Sequence, residues 1–79
     1  MKVPRDVDAG EFINVLKKYG YVVVRQTGSH IRLTKKIDCG EHAITIPNHN
    51  PIKIGTLQNI VKDICRANGI DISELYDHL

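Results

Sequence analysis

Between residues 21 and 46 the chain passes through three short β-branched runs separated by turn residues, and this alternation constrains the fold more than any other feature. Tyr21 to Gln26 contains Val22-Val23-Val24 and is bounded by glycines, the composition of a strand. Thr27-Gly28-Ser29 supplies a turn. In the next run, Ile31 to Lys35, Ile31 and Leu33 alternate with His30, Arg32 and Thr34, the period of a strand with one buried and one wet face. Lys36 to Glu41 forms a second turn, with Asp38 and Gly40 as its breakers. Ala43-Ile44-Thr45-Ile46 is a third strand, stopped by Pro47. Strands joined by turns this short form an antiparallel sheet.

Helical patterns flank the sheet. Asp8 stands as an N-cap with Glu11 three residues on, the spacing of a capping box, and Val7 and Phe12 occupy the staple positions around it. Phe12, Val15, Leu16 and Tyr19 recur at helical spacing and face a core. Lys17 and Lys18 oppose the dipole at the helix end, and Gly20 stops it. After a loop from Asn48 to Ile54, Gly55-Thr56 opens the longest helix, with Leu57, Ile60, Val61 and Ile64 on one side and Asn68-Gly69 at its end. Asp71 and Glu74 repeat the capping-box pattern and begin a short last helix that buries Ile72, Leu75 and Leu79. The order is α-β-β-β-α-α. The fold class is α+β, a three-stranded antiparallel sheet with helices on one face.

A chain of 79 residues makes one domain, residues 1–79. It buries only roughly 60% of its unfolded surface, so one small core must suffice. Its apolar and charged fractions are those of a globular protein and exclude disorder. Net charge is +2, yet nine of the eleven Lys and Arg lie in residues 1–56, among them Lys2 and Arg5 of an N-terminal arm, while the remainder carries more acid than base. A basic body with an acidic tail fits a polyanion bound on one surface. Cys39 and Cys65 form no CxxC pattern, and no apolar run reaches membrane-spanning length. No signal peptide is read before Asp6. The expected setting is the cytoplasm, with free thiols and no membrane.

Joining the strand patterns, Ile31 and Leu33 share the core face with Val22, Val24, Ile44 and Ile46. The opposite face collects Tyr21, Arg25, His30, Arg32, Thr34 and Thr45. The assignment depends on register, because a slip of one residue exchanges the faces.

His30 leaves the glycine turn at the rim of this sheet, among cations and few carboxylates. Histidine takes or gives a proton near neutral pH, so an exposed one among arginines suits an anionic substrate. RNA carries its own nucleophile, the 2′-hydroxyl. Its cleavage requires proton transfer and charge neutralisation, and one positioned histidine contributes roughly 10²–10⁴-fold. Gly28 supplies the turn and close approach to a phosphate, with Ser29 as a donor beside it. Lys53 and Thr56, at the start of the long helix, offer a backbone-phosphate contact on free amides and a positive dipole end. Cys39, His42 and His49 hint at zinc, but the fourth ligand would be the sequence-remote Cys65 or His30, so no metal is expected. His49 either lines the site or serves its loop; the loop role is preferred, so that His49→Ala is expected to retain cleavage. A DNA-reading helix pair over Asn59 to Asp77 ranks last, because the second helix carries Asp71, Glu74 and Asp77 and no cation.

Arg25-Gln26-Thr27-Gly28-Ser29-His30, Pro47-Asn48-His49 and Gly55-Thr56-Leu57, in this order and on this pattern of elements, resemble the HicA toxin family. The resemblance covers roughly Val7 to Leu75. It implies a double-stranded-RNA-binding-like fold and the toxin of a type II toxin–antitoxin system, an mRNA interferase inhibited by a HicB-like antitoxin. It also implies that His30 is the catalytic histidine, while the residues themselves lead to the expectation of no metal or other cofactor. The reading of a different class is a non-catalytic RNA-binding module in which His30 is only a contact.

Overall fold

The computed structural model describes Pro4 and residues 6–79. Lys2 and Arg5 lie outside the described residues. Three helices and three strands follow in the expected order: α1 (Ala9–Lys18), β1 (Val22–Thr27), β2 (His30–Ile37), β3 (Gly40–Pro47), α2 (Ile54–Asn68) and α3 (Ile72–Asp77). The sheet is antiparallel with strand order β1-β2-β3.

The strands reach further into the turns than their sequence suggests. Lys36 pairs with Glu41 and Ile37 with Gly40, which leaves Asp38-Cys39 as the whole β2–β3 connection. Gly28-Ser29 is equally short, closed by the Thr27–His30 pair, with Gly28 at φ +51°. A two-residue hairpin needs positive φ at its first central position, and glycine meets that without a Cβ penalty.

Ile31, Leu33, Ile44 and Ile46 turn inward, as the alternation predicts, and are buried against Phe12, Val15 and Leu16 of α1 and Leu57, Val61 and Ile64 of α2. Each such side chain contributes about 1.5–3 kcal/mol of burial. β1 departs from the expectation. Val22 and Val24 are 56% and 53% exposed, not core residues. The register shifts between Val23 and Arg25, so Val24 is an extra residue in the ladder, a β-bulge. Counting by two through a bulge inverts the parity on its far side. Val22 thereby pairs with Thr34 on the outer face, and Val23 pairs with Leu33 on the inner one. Tyr21, expected on the polar face, is instead 1% exposed: it precedes the strand and turns into the core, its N–H donating to the Leu16 carbonyl at 3.1 Å.

The helix ends fall where read, with different chemistry. Asp8 and Asp71 are the N-caps of α1 and α3, but neither side chain makes a capping hydrogen bond. For α1 the acceptor arrives from a distant part of the chain: Asn50 Oδ1 takes the Ala9 N–H at 3.1 Å. Val7 and Phe12 are both buried, as a staple requires. α2 begins at Ile54 with Lys53 as N-cap, one residue ahead of Gly55-Thr56. Its C-cap, Gly69, is left-handed at φ +65°. α3 buries Leu75 and also Tyr76, with Ile72 and Leu79 partly covered. Among the described residues no helix is long and apolar enough to cross a membrane.

Candidate functional site

β2 sends its even-numbered residues outward, so His30, Arg32 and Thr34 share the face away from the helices. The bulge puts Arg25 on that face too, directly across from Arg32, and the Thr27–His30 pair closes the row. Thr45 stands opposite Arg32 and Pro47 opposite His30 on β3. Arg25, Gly28, Ser29, His30 and Arg32 are all exposed. The Ser29 hydroxyl lies 3.5 Å from His30 Nδ1, the outer limit of a hydrogen bond. Within the three strands the one acidic residue is Glu41, at the far end of this face and paired in register with Lys36.

One end of the molecule gathers several features. The Asn48 N–H donates to the Ser29 carbonyl at 2.7 Å, tying the loop after β3 to the β1–β2 turn. Further along, Asn50 caps α1 and the Ile52 N–H donates to the Val7 carbonyl at 2.8 Å. The Gly28-Ser29 turn, the 48–53 loop and the N-termini of α1 and α2 therefore cluster together. Lys53 is exposed and Thr56 half-buried within the first turn of α2, which contains no acidic residue. The first helical bond there runs from the Leu57 N–H to the Lys53 carbonyl, so the amides before it remain available. The structure thus joins Arg25, Gly28, Ser29, His30 and Arg32 on one surface, and sets Lys53 and Thr56 behind it across the loop. Three concavities among the described residues, lined in turn by Lys35, Cys39 and Asn68, by Lys62, Arg66 and Asp71, and by Val22, Thr34 and Glu41, lie away from His30. The His30 end of the face is exposed, which suits a polymer lying along it rather than an enclosed small molecule.

A second polar group lies on the helical side. His42 Nδ1 and the Tyr21 hydroxyl are 2.6 Å apart, and Asn68 Nδ2 donates to the same hydroxyl at 3.0 Å. Lys35 Nζ donates to Asn68 Oδ1 and lies over the Tyr21 ring. His42 Nε2 is 3.3 Å from Asp63, close enough for an ion pair but off the hydrogen-bond axis. Burial holds the Tyr21 hydroxyl above its usual range, and the Asn68 hydrogen bond opposes that shift. Because the hydroxyl is enclosed, this chain of contacts works as a clasp between sheet and α2. Its residues lie 21 to 47 positions apart along the chain, so sequence spacing carries no signal for it. His42 is accordingly engaged away from Cys39, which is exposed, while Cys65 is buried in α2. Burial raises the Cys65 thiol above its usual range, with help from Glu74 and Asp71. Among the described residues no three His, Cys, Asp or Glu side chains come together as metal ligands would.

A protein-family model described as "HicA toxin of bacterial toxin-antitoxin" matches residues 9–65, more than half of the chain. The match spans α1, the sheet and most of α2, and so includes the whole outer face. No curated protein and no solved structure matches the chain.

Proposed function

The chain belongs to the HicA toxin family, and from this premise we propose that it is a metal-independent endoribonuclease that cuts mRNA with His30 as general acid or base. Membership makes it the toxin of a bacterial toxin–antitoxin pair, with an antitoxin as partner. The observation that carries the catalytic reading is an exposed imidazole at the rim of an open face, in a row with the cross-strand pair Arg25 and Arg32. RNA brings the 2′-hydroxyl as nucleophile. The chain supplies proton transfer at His30 and positive charge for the phosphate. Arg25 and Arg32 hold the backbone; Gly28 leaves room for it, and Ser29 donates to it. Lys53 and the amides about Thr56 take a further phosphate at the α2 N-terminus. In this reading the fold is double-stranded-RNA-binding-like, and the protein acts in the cytoplasm, where mRNA is.

The partner is a HicB-like antitoxin that covers the cationic face with acidic and apolar groups, which also speeds association. Hydrogen exchange on the complex is expected to protect β1 and β2 around Arg25, Arg32 and His30. Protection confined to α3 overturns the occlusion.

The alternative is an RNA-binding module without catalysis. Incubating labelled RNA with the purified chain in EDTA separates the two. Cleavage supports the enzyme, and bound but intact RNA supports the module.

A further inference from the structure

The segment after β3 turns back upon the His30 turn. Pro47 is the register partner of His30. The next residue, Asn48, donates its N–H to the Ser29 carbonyl at 2.7 Å, and the His49 N–H donates to the Pro47 carbonyl at 2.9 Å. A bond over two residues closes a γ-turn, which reverses the chain within three residues. His49 is therefore held near the sheet end: its Cα lies within two virtual bonds, at most about 7.6 Å, of the Pro47 Cα. Directly opposed antiparallel residues such as Pro47 and His30 have Cα atoms about 5 Å apart. Beyond His49 the loop is anchored again through Asn50 to Ala9 and through Ile52 to Val7. The backbone of His49 is thus fixed on both sides. Its side chain is exposed and, among the described residues, makes no hydrogen bond. Neither core packing nor helix capping accounts for an imidazole at this position.

We propose that His49 is the second proton-transfer group of the site, an inference that rests on the RNA-cleavage reading above. Cleavage by the 2′-hydroxyl moves two protons. One leaves O2′ as the O2′–P bond forms. One reaches O5′ as the P–O5′ bond breaks. The products are a 2′,3′-cyclic phosphate and a 5′-hydroxyl, with no oxidant, reductant or water consumed. The entering and leaving oxygens lie on opposite sides of phosphorus, so one fixed imidazole serves both poorly. Two imidazoles on neighbouring segments divide the work, one starting neutral and the other protonated. The remaining histidines are occupied elsewhere: His42 by Tyr21 and Asp63, and His78 by the Tyr19 ring on the α3 side. Charged residues on the segments tied to this turn and loop include, among the described residues, Arg25 and Arg32 on the sheet, Asp6 and Asp8 before α1, and Lys53 at the start of α2.

The test compares wild type, His30→Ala, His49→Ala and His49→Gln on an RNA oligonucleotide and on the same oligonucleotide with sulfur replacing the scissile O5′. Thiolate leaves without a proton donor. Loss of His49 is expected to lower kcat by about 10²-fold or more, with KM within about threefold, and to remove one limb of the bell-shaped pH–rate profile. The sulfur substrate is expected to restore rate to the variant lacking the proton donor and not to the other. The loop is held by backbone bonds, so His49→Gln keeps the fold, checked by circular dichroism and melting. His49 variants that cut within about threefold of wild type overturn the inference and leave the cleavage reading standing. A sulfur substrate that rescues neither variant overturns it equally. A wild type that leaves both substrates intact overturns the cleavage reading itself, and the role of His49 with it.

Discussion

Arg25 and Arg32 stand directly across from one another on adjacent strands, two guanidinium side chains on one exposed face. Like charges directly opposed in a sheet cost about 0.2–1 kcal/mol, and an arriving phosphate backbone removes that cost. Arg25→Gln or Arg32→Gln is therefore expected to raise the stability of the free chain by a few tenths of a kcal/mol. Each is also expected to weaken RNA binding and lower the slope of log affinity against log salt by about one. Denaturant melts and salt titrations read the two effects. An unchanged salt slope shows that these arginines do not touch phosphate.

His30→Ala is expected to abolish RNA cleavage and growth arrest while leaving the fold and most RNA binding intact. The residue is exposed at a strand start, so truncation opens no core cavity, and stability should change by about 0.5 kcal/mol or less. Turnover falls more than affinity, because proton transfer acts in the transition state. A folded His30→Ala protein cutting RNA at near wild-type rate defeats the assignment.

His42→Ala and Asn68→Ala are expected to behave in the opposite way. Each breaks the clasp at the Tyr21 hydroxyl, and Asn68 also bonds the Ile64 carbonyl at 2.8 Å. Leaving a partly buried polar group without its partner costs about 1–3 kcal/mol. Chemical denaturation should register that loss, while cleavage by the folded fraction stays at the wild-type rate. A large fall in kcat with unchanged stability contradicts the separation of clasp from site.

Alkali is expected to destabilise the fold. Burial raises Tyr21, Tyr76 and Cys65 above their ordinary values of 10.0, 10.0 and 9.0. The folded state thus favours the protonated forms, and the unfolded chain ionises first. Their contribution is complete below about pH 9 and is lost as pH rises through the folded values. Melting temperature should fall from about pH 9 upward, and an alkylating reagent should modify exposed Cys39 well before buried Cys65. Equal labelling of both thiols in the native protein counts against this.

Much of the fold was legible because one periodicity dominates each segment. Ile31 and Leu33 alternate, Leu57 and Val61 recur at helical spacing, and the structure buries all four. The polar face was legible in part, since His30, Arg32 and Arg25 share it as read. Val22, Val24 and Tyr21 were not. A bulge costs one residue of parity and has no marker in Val-Val-Val, and a tyrosine just ahead of a strand follows the core rather than the alternation. The capping of α1 by Asn50 and the bond from Asn48 to Ser29 escaped for another reason: both pair distant residues through the closed fold.

The bulge at Val24 has a consequence for solubility. β1 is an outer strand of the sheet, and three adjacent exposed valines on such a strand make a template for another chain. An extra residue twists and bends the strand just where that template would be flattest, and Arg25 follows it as a charged gatekeeper. Deleting Val24 would leave Arg25 opposite Arg32 and every inward residue in place, yet straighten the edge. The variant lacking Val24 is therefore expected to self-associate at lower concentration than the wild type, which light scattering would read.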